Sequence, residues 1–203
     1  LFLEGDSQGR RVSPLILAST SPYRRELLTR LGVPFEAHPP GVPEEVIAGE
    51  SATDRALRLA QAKAQAVARR FPDAIVIGSD QVAAAGERVL GKPGDAAACR
   101  AQLTSLSGRT ALFHTACTLA GTGAGVHAAH VDTTTVVFRS LGAEEIERYV
   151  AREQPFDCAG GFKAEALGIT LFEYIESRDP TALIGLPLIW LAGALRGAGY
   201  RLP

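Results

Sequence analysis

The sequence predicts a mixed α/β fold: a β-sheet flanked by helices, with two lobes around a central cleft. Three observations carry that expectation. Apolar runs at Leu15–Ala18 and Ala74–Ser79 have the continuous hydrophobicity of strands covered on both faces. Between them Ala56, Leu57, Ala60, Ala64, Val67, Ala68 and Phe71 recur at helical spacing, while Arg55, Arg58, Gln61 and Arg69 fall elsewhere. Two long strand-like stretches, Thr110–Ala120 and Val126–Arg139, flank the glycine-rich turn Gly121–Gly125 and read as a hairpin. No linker, repeat or low-complexity stretch divides the chain, so residues 13–203 are expected to form one domain, preceded by an appended or processed tail at 1–12.

Composition narrows the function classes. A chain of 203 residues with 46% hydrophobic content can bury a sizeable core. The 21 basic and 22 acidic residues leave a net charge of −1, so no overall field draws in a nucleic-acid duplex or an anionic membrane, and any anion site must be local. Cys99, Cys117 and Cys158 lack paired spacing and fit the reduced thiols of a cytoplasmic protein. No apolar run is long enough to span a bilayer. His38, His114, His127 and His130 show no zinc-ligand spacing.

Taken in order, the strand at Leu15–Ala18 runs into Ser19, Thr20 and Ser21, and Ser21-Pro22 has the N-cap and first-position chemistry of a helix whose stripe is Leu27, Leu28 and Leu31. Free backbone N–H groups, hydroxyls, Arg24 and Arg25 gather at that turn, which suits a phosphate chain as well as it suits an ordinary strand-to-helix junction. Residues 34–38 read as a short strand, and the proline-rich loop 39–45 carries Glu44 and Glu45. The helix expected over 53–71 has Lys63 at the border of its apolar face, either snorkelling to solvent or reaching into a cleft.

The strand at 74–79 ends in Asp80-Gln81. Open α/β sheets place ligands at such strand ends, which makes Asp80 the first choice for catalysis, against the reading of a turn aspartate. A hairpin turning at Ala85-Gly86 leads to the loop Gly91-Lys92-Pro93-Gly94, and Asp95 caps a helix to Leu106. The glycines at 121–125 lie within a hairpin, which excludes a dinucleotide fingerprint. A helix follows from Ala143, with its acids at the favourable dipole end. Adjacent glycines at 160–161 allow close backbone approach; a strand-like run spans Leu167–Ile175, and Leu183–Pro187 opens the last helix, to Gly197.

Together these segments resemble the Maf family of nucleoside triphosphate pyrophosphatases from about Leu15 to Gly199. The resemblance rests on Leu17–Arg25, Leu59–Lys63, Ile77–Val82, Gly91–Pro93, Cys158–Glu165 and Arg178–Pro187. Ser79-Asp80-Gln81 and Phe162-Lys163-Ala164-Glu165 look like the branch acting on 7-methyl-GTP, whereas the dTTP/UTP branch usually carries Thr after the aspartate.

The resemblance implies an elongated mixed sheet of the Maf/inosine-triphosphatase kind and hydrolysis between the α and β phosphates with a divalent metal, Mg2+ or Mn2+. By position it makes Asp80 the proton acceptor and Gln81 its substrate-selecting neighbour. Ser21 and Arg24 match the phosphate-binding motif, Lys63 and Lys92 the cleft lysines, Glu44 an active-site carboxylate, and Tyr23 and Glu165 base selection. Glu44 and Asp80 are the metal candidates. Tyr23 stands where the branch commonly has Trp, and Gly161 and Ala164 where it has serines, differences that bear on the base rather than on the phosphates. The partner expected is a small-molecule nucleotide, not nucleic acid or membrane, with a homodimer as the assembly to test. A dTTP/UTP pyrophosphatase and a non-catalytic nucleotide-binding regulator of cell division are the alternatives.

Overall fold

The computed structural model describes residues 13–121, 123 and 125–203; the expected tail at 1–12 lies outside them. A seven-stranded sheet runs β2 (Glu36–Ala37), β1 (Leu15–Ala18), β3 (Ile75–Ala85), β5 (Thr110–Gly121), β6 (Val126–Phe138), β7 (Phe172–Glu176), with β4 (Arg88–Leu90) paired to the far end of β3. The first three strands are parallel and the rest antiparallel. Among the described residues five α-helices flank it: α1 (Pro22–Thr29), α2 (Ala52–Ala68), α3 (Ala96–Leu106), α4 (Ala143–Glu153) and α5 (Leu188–Gly197).

Two principal apolar clusters form the cores of two lobes. One holds Leu103, Phe113, Phe138, Phe162 and Phe172; the other holds Leu17, Leu27, Leu28, Ile77, Leu191 and Leu195. Helix α2 packs on one face of the sheet and builds two smaller clusters of its own, Ala64, Val67 and Ala68 with Ile16 and Val76, and Ala56 and Ala60 with Val82 and Ala116. It lies so close to β3 that a Cβ on Gly78 would collide with the Ala60 carbonyl and come within 2.6 Å of the Ala64 nitrogen. Glycine is therefore required there, and the close approach brings Lys63 beside β3.

Several expectations need correction. Helix α2 stops at Ala68, Phe71 lies in the turn beyond it, and Leu59 rather than Leu57 is fully buried. Strand β3 does not end before Asp80; it continues to Ala85, because β5 stays paired along it from Val76 to Ala84. The hairpin turns at Gly86-Glu87, since Ala85 still pairs with Arg88. Residues Leu167–Leu171 form a 3-10 turn rather than a strand. Glu153 accepts from the Leu167 N–H at 3.1 Å, the Thr170 hydroxyl donates back to the Leu167 carbonyl at 2.8 Å, and Gly168 sits tight against the Lys163 backbone. Residues Ala182–Ile184 form a further 3-10 turn, so α5 begins at Leu188.

Candidate active site

The surroundings of Asp80 follow from the sheet register. Strand β1 covers β3 from Ile75 to Gly78 and then stops at Ala18, while β5 continues on the other edge and pairs Ala116 with Asp80. Between Gly78, where β1 leaves it, and Ala83, where β4 joins it, that edge of β3 is open, and Asp80 stands in the gap, in mid-strand but at the end of the parallel part of the sheet. Lys63 reaches it from α2. The ammonium donates to Asp80 Oδ1 at 2.5 Å, with both residues under 10% exposed, so Lys63 does not snorkel. Glu44, on the loop after β2, places its carboxylate 2.5 Å from the same nitrogen.

That loop is strapped to α2. Arg58 holds Glu50 with two bonds, at 2.6 and 2.7 Å, and donates to the Glu45 carbonyl at 3.1 Å. Arg55 donates to the Glu44 carbonyl at 3.3 Å. The helix that carries Lys63 thus also positions the second carboxylate.

Ser21 is the N-cap of α1: its Oγ accepts from the Arg24 N–H at 3.4 Å, leaving the hydroxyl proton for another partner. Arg24 Nε and the Ser79 hydroxyl both donate to the Gly185 carbonyl, at 3.0 and 2.9 Å. Gly185 has φ +127°, a conformation that favours glycine and turns this carbonyl toward Arg24. The amide nitrogen of Gln81 donates to the carbonyls of Ala182 and Leu183 and to the Thr115 hydroxyl, at 2.9 to 3.1 Å. Its donors are therefore spent on this turn. Asp179, 3% exposed, fixes the turn by accepting from the Thr181 N–H and hydroxyl and from the Ile189 N–H at the start of α5.

The opposite wall is irregular. The Tyr23 hydroxyl donates to Asp157 at 3.4 Å, and the Cys158 thiol lies 3.7 Å from it. Phe162 anchors this segment by edge-to-face packing on Phe113, Phe138 and Phe172, with ring centroids 4.8 to 5.6 Å apart. The residues to which the resemblance gives site roles line one cavity of about 520 Å³, whereas Arg25, expected beside Arg24 at the phosphate turn, is exposed outside it because the next helix position points away. Ser21, Tyr23 and Arg24 come from the α1 junction, Glu44 from its loop, Lys63 from α2, Asp80 and Gln81 from β3, and Lys92 and Glu165 from two further loops.

A family model for Maf-like proteins matches residues 14–198. The chain belongs to the Maf family. Among its relatives is a protein of Xanthomonas oryzae pv. oryzae (strain MAFF 311018) named 7-methyl-GTP pyrophosphatase, 56% identical over 189 residues that cover 93% of this chain and 98% of that one. A protein of the same name from Aromatoleum aromaticum is 51% identical over 193 residues, covering 95% of this chain and all of its own length. The solved structure of the Staphylococcus aureus Ham1 protein superposes with a TM-score of 0.53 at 15% identity, over 91% of this chain and 98% of that one, and so shares the fold.

In this Maf chain the electrostatics of the two walls differ. Burial pushes the Glu44 carboxyl up, but the hydrogen bond and charge of Lys63, with Lys92 and Arg24, outweigh it and hold Glu44 below the ordinary carboxylate range. Burial lowers Arg24 and the charge of Asp80 opposes it; from so high a starting value the guanidinium remains a cation. Tyr23 is pushed well above the ordinary phenol range, by burial first and then by the Cys158 hydrogen bond, so it stays a neutral donor. Among the described residues no group of three or more His, Cys, Asp or Glu is placed to hold a metal ion, and no helix is long and apolar enough to cross a membrane. Two carboxylates converging on one cation still fit magnesium, which takes one or two protein carboxylates and fills its sphere with phosphate oxygens and water.

Sequence reasoning missed Arg55, Asp157 and the Gly185 carbonyl, all of which border the cavity. Arg55 had a signal: it precedes Lys63 by two steps of four on one helix and shares its face. Asp157 and a backbone carbonyl had none.

Proposed function

We propose that this chain hydrolyses the α–β phosphoanhydride bond of a nucleoside triphosphate, releasing a nucleoside monophosphate and pyrophosphate, with 7-methyl-GTP preferred. The carrying observation is the buried Lys63–Asp80 pair, joined by Glu44, at the open edge of β3 inside a cavity of nucleotide size. Relatives that bear the 7-methyl-GTP pyrophosphatase name at 51% and 56% identity over nearly their whole length support the substrate.

Lys63 takes Oδ1 of Asp80 and leaves Oδ2 for a water. As that water's oxygen bonds to the α-phosphorus, Asp80 accepts its proton, the bond to the bridging oxygen breaks, and pyrophosphate departs. Arg24 and Lys92 neutralise the phosphates, and the Ser21 hydroxyl donates to a phosphate oxygen. The Gly185 carbonyl orients Arg24 through its Nε, so the terminal nitrogens face the substrate. A divalent ion held by Glu44 and Asp80 with phosphate oxygens would add charge neutralisation there.

At the other wall, methylation of N7 makes guanine cationic, and a cation over an aromatic face gains about 0.5–2 kcal/mol, which suits Tyr23. Glu165 accepts from the N1 and N2 donors and complements the charge. Gln81 acts indirectly, by holding the 182–183 carbonyls of the turn that also orients Arg24.

The test is pyrophosphate release across a panel of nucleoside triphosphates, with and without magnesium or manganese. The expected result is metal-dependent release with the highest kcat/KM for 7-methyl-GTP. Highest turnover of dTTP or UTP would move the chain to the other branch, and release from none would leave a nucleotide-binding regulator.

A further inference from the structure

Arginine 55 lies outside the roles given above. Of the cations on the cavity wall, Lys63 is committed between Glu44 and Asp80, and Arg24 spends its Nε on the Gly185 carbonyl. Arg55 is bound by one 3.3 Å hydrogen bond to a carbonyl, and its Nε is buried with no hydrogen-bond partner among the described residues. A buried donor without a partner carries its lost hydration uncompensated, so this pose leaves the head group with an unmet demand that an anion would satisfy. Its neighbour Arg58 shows the contrast, with Nε and one terminal nitrogen both on Glu50.

Position says which part of a substrate Arg55 would meet. Arg55, Leu59 and Lys63 are spaced four apart, line the same cavity and share one face of α2. At about 1.5 Å of rise per residue the backbone of Arg55 stands about 12 Å along the helix from that of Lys63, and its side chain reaches the Glu44 carbonyl, within one residue of the carboxylate that Lys63 holds. The two walls are also distinct in charge. Tyr23 feels Asp157 and Glu165, whereas Glu44 feels Lys63, Lys92 and Arg24. Arg55 is bonded to the backbone of Glu44, which sets it on the phosphate wall.

We propose that Arg55 is a substrate-binding residue that takes the pyrophosphate end of the triphosphate and holds it as the leaving group. The assignment rests on the hydrolytic reading given above. A guanidinium suits the task because it can donate two parallel bonds to phosphate oxygens and does not lose its charge. It also gives the strap on the Glu44 loop a second purpose, since the residue that meets the leaving group tethers the loop carrying a reactive-side carboxylate.

Titration calorimetry with inorganic pyrophosphate and magnesium tests this without turnover, with 7-methyl-GMP as the second probe. Arg55→Gln should weaken pyrophosphate binding by about 10-fold or more and leave 7-methyl-GMP binding within about twofold of wild type. Arg55→Lys should fall between, keeping charge but losing the fork. Arg58→Gln, which loosens the same loop from outside the cavity, should not reproduce that split. Unchanged pyrophosphate affinity in Arg55→Gln, no pyrophosphate binding by wild type, or equal weakening of both probes would overturn the proposal. Failure of the hydrolytic reading looks different: no triphosphate is cleaved, while the Arg55-dependent pyrophosphate binding persists.

Discussion

Asp80 and Lys63 stand on a strand and a helix that share a buried interface, whereas Tyr23 faces Asp157 and Cys158 on a segment whose only regular structure is the short 3-10 turn at Ala159–Gly161. The wall proposed for the chemistry is set by sheet register, by Gly78 and by ion pairs at 2.5 Å; the wall proposed for the base is set by longer contacts, at 3.4 and 3.7 Å, and by the anchoring of Phe162. The difference teaches how one scaffold can keep its chemistry while its selectivity drifts. A general base has to be held within fractions of an ångström, which core elements provide. A base-reading surface on loops can change side chains without disturbing that geometry. Of the positions where this chain departs from its branch, Tyr23 and Ala164 line the cavity on the side proposed for the base, and Gly161 is buried behind it against Cys99.

The contrast can be broken most severely at Asp80. Asp80→Asn should lower kcat by at least about 100-fold on every nucleotide while the circular dichroism spectrum stays that of wild type. Unchanged turnover would remove Asp80 from the mechanism.

Lys63→Met comes next. It strands a buried carboxylate without its partner, so beyond lost activity it should cost about 3 kcal/mol in urea unfolding. An unchanged midpoint would show that the reactive wall does not depend on this pair.

A smaller effect is expected at Glu44. Its folded value lies below its unfolded one, so its contribution to stability is present above about pH 4.3 and is lost as pH falls through the lower folded value. The urea midpoint of Glu44→Gln should therefore lie below that of wild type at pH 7, and the gap should close on acidification. A gap that widens toward acid would contradict the ion pair with Lys63.

Much of this was legible in the sequence because it rests on local chemistry. Ser21 before Pro22 and Asp95 before Ala96 are caps that local chemistry specifies, and both are observed, accepting from Arg24 N–H and Ala98 N–H. The apolar run before Asp80 located the strand that carries it, but its end did not follow from periodicity, since pairing with the distant β5 carries it to Ala85. Leu167–Leu171 misled for the same reason: its residues suit a strand, and contacts with Glu153 and Lys163 bend it into a turn. At the site, the charged side chains could be picked out one by one. The turn at 181–187 that ties Ser79, Gln81 and Arg24 together works through backbone carbonyls, which have no side-chain signature.

The division between the walls is tested most directly by the ratio of kcat/KM for 7-methyl-GTP to that for GTP, measured in wild type, Glu165→Ala and Asp80→Asn. The prediction is that Glu165→Ala lowers the ratio by about 10-fold, as loss of a charge-assisted contact to the cationic base would, while Asp80→Asn lowers both rates and leaves the ratio unchanged. Equal losses on the two substrates in Glu165→Ala, or a changed ratio in Asp80→Asn, would contradict it.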